Sequence, residues 1–159
     1  MPKMTLEYDA VMPVSYEKDG HYHIFVPTFY ELKNNANEKI DFVFDTGAFI
    51  TVITRQTAIV FGFDKLPPRN VFSLTGYTGS CLADVKAIPG IIIGGRRLED
   101  VKVAIPHENS KHNLLGLNVL EYFNYFFDNE NSKIYFSGNQ KYKAPNELMC
   151  GKVYMLSII

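Results

Sequence analysis

The sequence is poor in the features that mark most functional classes. Only two cysteines occur in 159 residues, Cys81 and Cys150, far apart and without a CxxC spacing. That excludes a disulfide framework and gives no start to a zinc site, so both read as free thiols. Sixteen Lys and Arg stand against seventeen Asp and Glu, for a formal net charge of -1. The basic stripe that phosphate-backbone binding requires is missing, and nucleic acid is not an expected partner. Long apolar runs are missing too: each candidate is interrupted, at Pro89, Gly94 or Asn124, before it can span a bilayer. The opening residues Met1 to Asp9 alternate in polarity and carry acids, unlike the unbroken apolar core of a secretion signal. The expectation is a protein with no membrane partner and a cytoplasmic location. His21 and His23 alternate on a strand-like segment, and His107 and His112 sit in a polar loop, without the i, i+4 spacing of a helical metal site. All four read as surface or half-buried imidazoles, and neither a metal nor any other cofactor is expected.

What is present is a foldable chain. Apolar residues make up 47%, aromatics 14% and charged residues 21%, inside the range of globular proteins. The length fits one domain over 1–159, with a real core but no second lobe. The dominant period is two, so the fold class is mainly β. Leu6, Tyr8, Ala10, Met12 and Val14 alternate with mostly polar neighbours, Lys18-Asp19-Gly20 supplies a turn, and 21–30 resumes the extended pattern, which predicts a hairpin. Residues 31–39 read as a polar loop and 40–44 as a strand. Thr54 is placed to cap a short helix over 55–61, with Gly62 at its C-terminal cap and Pro67-Pro68 beyond. Strands are predicted at 71–74, 81–88, 91–93 and 98–105, the last two joined by Gly94-Gly95, then a short helical face from Leu117. A hairpin over 125–127 and 133–136 turns at Asp128-Asn129-Glu130-Asn131, and 153–159 reads as a last strand.

One acid stands out. Asp45-Thr46-Gly47-Ala48 lies between the apolar runs 40–44 and 49–53. An ionised Asp is costly to desolvate without a partner, so one set on a Gly-containing turn between core strands points to chemistry. Hydrolysis of a peptide without a metal or a covalent nucleophile needs one group to take a proton from water and another to give one to the carbonyl oxygen. Two carboxylates sharing a proton do both. Here only one Asp precedes Thr-Gly or Ser-Gly; Asp9, Asp19, Asp64, Asp84, Asp100 and Asp128 lack that context.

Phe42-Val43-Phe44-Asp45-Thr46-Gly47-Ala48 and, downstream, Leu114-Leu115-Gly116 followed by a short helix together resemble the retropepsin-like aspartic peptidases, single-lobe relatives of the pepsin fold. The resemblance covers 22–136, leaving an N-terminal extension at 1–21 and a tail at 137–159. It implies a single-lobe acid-protease β-barrel with one or two short helices and a flap hairpin. It also implies a homodimer in which each subunit contributes Asp45 at the two-fold axis, acting on a peptide or protein substrate. Thr46 would bond across that axis, Gly47 would permit close backbone approach, and Leu114, Leu115 and Gly116 would pack beneath the catalytic loop. Residues 72–85 take the place of the flap, with Gly76, Tyr77, Thr78 and Gly79 at its tip over the substrate, and 91–105 that of the following hairpin. Ala48, which has no hydroxyl to offer the carboxylate, implies activity at less acidic pH than in pepsins. Retropepsins cement their dimers with interleaved terminal strands; the longer termini here either supply such strands or cover the docking surface. A catalytically silent peptide-binding or dimerisation module of the same fold is the alternative. A small β-barrel ligand carrier would fit the strands but leave Asp45 without a role.

Overall fold

The computed structural model describes residues 10–18, 22–31, 37–76, 79–93, 96–139 and 141. In chain order the elements are β1 (Ala10–Pro13), β2 (Ser15–Lys18), β3 (Tyr22–Glu31), β4 (Asn37–Phe44), β5 (Thr51–Val52) and α1 (Arg55–Phe61). A 3-10 turn at Phe63–Lys65 leads to β6 (Asn70–Gly76), β7 (Gly79–Ile88), β8 (Ile91–Ile93), β9 (Arg96–Leu98) and β10 (Val101–Pro106). The chain continues through β11 (Asn113–Leu115), α2 (Leu117–Leu120), β12 (Phe123–Asp128) and β13 (Lys133–Gly138). Ten strands form one sheet in the order β6-β7-β10-β5-β11-β4-β3-β8-β9, with β2 added beside β3; the other three form a small sheet, β1-β13-β12.

Local chemistry accounts for α1. Thr54 takes an extended backbone and its hydroxyl accepts from the Thr57 N–H at 3.1 Å, while Gly62 closes the helix in the left-handed region at φ +77°. Ala58 is fully buried beneath the helix. The Phe61 and Phe63 rings stack on one another and both meet Tyr30 of β3 edge-on.

Three expectations change at the level of pairing. β3 pairs with β2, Ser15 opposite Phe25 and Lys18 opposite Tyr22, but β1 turns away at Val14 and pairs with β13, Ala10 opposite Phe136. Burial decides this: Ala10, Met12 and Val14 all face the core, and the Val14 N–H donates to the Ser132 carbonyl at 3.0 Å, away from the hairpin. The polar stretch at 31–39 is shorter than its composition suggests, because β3 runs to Glu31 and β4 starts opposite it at Asn37. The segment 98–105 is two strands. Asp100, at φ +52°, breaks it, so that β9 stays on β8 while β10 crosses to lie between β7 and β5. The proposed strand at 153–159, the Gly94-Gly95 turn and Cys150 lie outside the described residues; Cys81 is a half-buried free thiol.

The central strands divide two apolar clusters. The larger packs Met12, Phe42, Ile53, Phe63, Leu115 and Leu120 with the small sheet, through Ile134 and Phe136. The smaller joins Ile50, Val52, Ala83, Val85 and Ala104 to Phe72, Leu74 and Leu114 beneath the β6–β7 hairpin. Phe42 and Val43 are both buried, so β4 is covered on both faces, and Asp45 follows Val43 by two residues.

Candidate active site

Asp45 is the first residue after β4, and the turn it begins returns the chain to β5 on the far side of β11. β11 is therefore clasped between the two strands that carry the turn: Leu115 lies opposite Phe44 in parallel register, and Leu114 opposite Val52 in antiparallel register. The crossing forces one residue to be glycine. A Cβ on Gly116 would stand 2.5 Å from the Ile50 carbonyl carbon, 2.6 Å from its oxygen and 2.8 Å from the Thr51 nitrogen. Real side chains do not tolerate such distances against backbone.

The same crossing supplies the cap of α2. Gly116 has no side chain with which to satisfy the first helical N–H groups. The Leu117 and Asn118 N–H groups donate to the Ala48 and Phe49 carbonyls at 2.8 and 3.2 Å, so the turn that carries the acid also terminates the helix. The Asp45 N–H donates to the Leu115 carbonyl at 3.1 Å, and the Ala48 N–H to the Asp45 carbonyl at 3.3 Å. The carboxylate accepts from the Gly47 N–H at 2.9 Å through Oδ1, and a Cβ at Gly47 would crowd that oxygen at 3.2 Å.

Two asparagines and a threonine complete the frame. Asn118 Oδ1 accepts from both the N–H and the hydroxyl of Thr51, at 2.8 and 2.9 Å, while its Nδ2 donates to the Lys102 carbonyl on β10 at 2.8 Å. The buried Thr51 hydroxyl in turn accepts from the Gly116 N–H at 3.1 Å. At the other end of β11, Asn113 Oδ1 accepts from the Thr54 N–H at 2.9 Å and its Nδ2 donates to the Asp41 carbonyl at 3.2 Å. Sequence reasoning named Leu114, Leu115 and Gly116 but not these three. The signal was present as polar residues in apolar surroundings, Thr51 inside Phe49 to Ile53 and an Asn on each side of Leu-Leu-Gly-Leu.

Asp45 is half-buried, Thr46 and Gly47 are exposed, and Phe49 is 66% exposed. Among the described residues no second carboxylate is hydrogen-bonded to Asp45; Asp84 is held by His107 at 2.9 Å and Asp128 by Asn131 at 2.8 Å. No group of three or more His, Cys, Asp or Glu among the described residues is arranged to hold a metal ion. The β6–β7 hairpin stands over the smaller apolar cluster, and its Phe72 ring stacks on Phe49 with centroids 6.1 Å apart. Gly76 and Gly79 are the last paired residues of that hairpin, whereas Tyr77 and Thr78 lie outside the described residues. What this arrangement can do chemically is present one fixed carboxylate, open to solvent, on a turn whose apolar Phe49 meets the β6–β7 hairpin.

The chain is similar to known proteins in sequence and in fold. Residues 31–122 match the family model described as "gag-polyprotein putative aspartyl protease". Among solved structures, a retropepsin-like aspartic protease from Rickettsia conorii superposes with a TM-score of 0.57 at 23% identity, over 86% of this chain and 98% of that one. The EIAV protease complexed with the inhibitor HBY-793 gives a TM-score of 0.47 at 15% identity, over 66% of this chain and 91% of that one. No curated protein matches the chain. The mainly β architecture with two short helices is that of the retropepsin-like structures.

Proposed function

Because the chain belongs to the retropepsin-like aspartyl protease family, we propose that it is a homodimeric aspartic endopeptidase whose dyad is Asp45 from each of two subunits. The observation that carries this reading is the state of Asp45: it is fixed by bonds from β11 and from its own turn, yet it is open to solvent with no carboxylate bonded to it among the described residues. Surfaces beside it suit a twin. Phe49 and Leu117 are 66% and 42% exposed, and Phe44 packs against Tyr125 and Phe127 of β12, an edge strand with Phe126 exposed.

In the assembled dyad, like charge at close range keeps one acid protonated and the other ionised. The ionised carboxylate takes a proton from water as the water oxygen attacks the scissile carbonyl carbon, and the protonated partner gives its proton to the carbonyl oxygen. Collapse of the tetrahedral diol returns a proton to the leaving nitrogen and separates the two peptide halves. The substrate lies extended between the dyad and the β6–β7 hairpin, which acts as the flap and excludes water as it closes.

The test compares wild type with Asp45→Asn on a mixed peptide library. The expected result is loss of cleavage by about a thousandfold or more, with sedimentation of the wild type as a dimer at micromolar concentration. Equal cleavage by both proteins removes the enzyme reading. No cleavage by either favours the silent peptide-binding module, and a strict monomer removes the dyad.

A further inference from the structure

Strand register continues the site beyond Asp45 in one direction. Val43 lies opposite Leu114 on β11 and opposite Phe25 on β3, so the three side chains share one face of the sheet. Leu114 belongs to the apolar cluster beneath the hairpin, and this face is therefore the one the hairpin overhangs. Asp45 follows Val43 by two residues; the β3–β4 ladder ends at Phe25 opposite Val43, and β3 runs antiparallel, so β3 continues from Phe25 through His23 toward the Asp45 end of β4. His112, just before β11, joins them through its side chain. Its ring lies 4.9 Å from that of His23 and 5.4 Å from that of Phe25, edge-on to the phenyl. The cleft floor is thus unequal on the two sides of the acid. Toward β5, β10 and β7 it is aliphatic, through Val52, Ala104 and Val85; toward β3 it ends in two half-buried imidazoles against one phenyl.

We propose that His23, Phe25 and His112 form a specificity subsite beside Asp45 that selects an acidic substrate side chain, glutamate above all. The phenyl ring accommodates the methylenes, and imidazole N–H groups, which donate in either charge state, meet the carboxylate. Without such donors an acidic side chain beside a dyad that itself carries negative charge is repelled. Two-fold assembly repeats the corner on both sides of the scissile bond. The inference rests on the reading of Asp45 as a peptidase acid, and its test has an arm that does not depend on turnover.

Peptides identical except for Glu, Gln or Leu scanned through the positions flanking the cleaved bond are offered to wild type, and their binding to Asp45→Asn is measured by calorimetry. The expected order at one or more positions is Glu above Gln above Leu, with Glu over Leu by about tenfold, the worth of one charge-assisted hydrogen bond. In His23→Leu and His112→Leu the Glu-to-Leu ratio of kcat/KM collapses toward one, whereas His112→Gln, which keeps an N–H donor, retains part of it. A purely packing role lowers both substrates alike and leaves the ratio in place; that outcome overturns the proposal, as does Leu equal to Glu at every position in wild type. If wild type cleaves nothing but Asp45→Asn binds Glu peptides more tightly than Leu peptides, the peptidase reading fails and the subsite stands. If no peptide binds, both fail. Should the leucine variants not fold, the wild-type ratio decides alone.

Discussion

The turn at Asp45 and the end of the β6–β7 hairpin are built on opposite terms. The turn is tied to other elements along its length: Asp45 to Leu115, Ala48 to Leu117, Phe49 to Asn118, Thr51 to the Asn118 side chain. Among the described residues, the end of the hairpin at Gly76 and Gly79 is held by its own ladder and by the Thr75–Ser80 side-chain bond at 2.9 Å, with β6 the outermost strand of the sheet. Local opening free energy scales with such tertiary connection, so the turn is expected to open only with the core, and the described end of the hairpin at a lower cost. The proposed peptidase reaction, which needs its acid held to a fraction of an ångström under a cover that admits a chain, would divide the labour this way.

The contrast breaks hardest at Gly116. Gly116→Ala drives a methyl into the backbone of Ile50 and Thr51, neither of which can swing aside as a side-chain end would. The expected cost is about 3 kcal/mol or more, at the upper end of overpacking penalties. Urea titration followed by fluorescence or circular dichroism measures it, and a cost under about 1 kcal/mol would mean that β5 is free to shift relative to β11. Asn118 comes next. Asn118→Ala strands the Thr51 N–H and hydroxyl and the Lys102 carbonyl together, for an expected loss of about 2–3 kcal/mol. Asn118→Asp keeps the acceptor for Thr51 but sets a carboxylate oxygen against the Lys102 carbonyl in place of the donor, so it costs about 1–2 kcal/mol, less than the alanine variant. Equal losses in the two variants would place the weight on β10 and not on the turn.

The legibility of the two regions differed for a physical reason. The turn announced itself because burial and charge conflict locally, in Asp45 between two apolar runs, and α1 because its capping residues sit next to the helix they cap. Gly47 belongs to the same local chemistry, against the carboxylate, whereas Gly116 was legible only through the family resemblance, since the backbone it meets is that of Ile50 and Thr51. What stayed hidden was long-range. Nothing near Ala10 names Phe136 as its partner, and nothing near Asn118 names Thr51, 67 positions away. The split at Asp100 was equally silent, since an apolar strand pattern runs on either side of it and only the competing edges of β8 and β7 separate β9 from β10. His23 and His112 looked like scattered imidazoles because their meeting depends on the register of three strands.

The hairpin tip makes the finest test of the contrast, because its two glycines are not equivalent. Composition treats Gly76 and Gly79 as a matched pair that loosens the turn, and they do face each other in register. Among the described residues, chain neighbours aside, no atom lies within 4 Å of the point where a side-chain methyl would stand at either, so packing there gives no reason for glycine. Backbone does at one of them: Gly79 sits at φ +122°, which L side chains rarely adopt, while Gly76 lies outside the left-handed region. Gly79→Ala is therefore expected to cost about 1 kcal/mol through strain, and Gly76→Ala about zero or a slight gain, since alanine narrows the unfolded ensemble. The difference is small against that at Gly116, and thermal melts of the two variants side by side resolve it. Equal melts would mean that the backbone at Gly79 relaxes without resistance, and a large loss at Gly76 would mean that another part of the chain packs against the hairpin there.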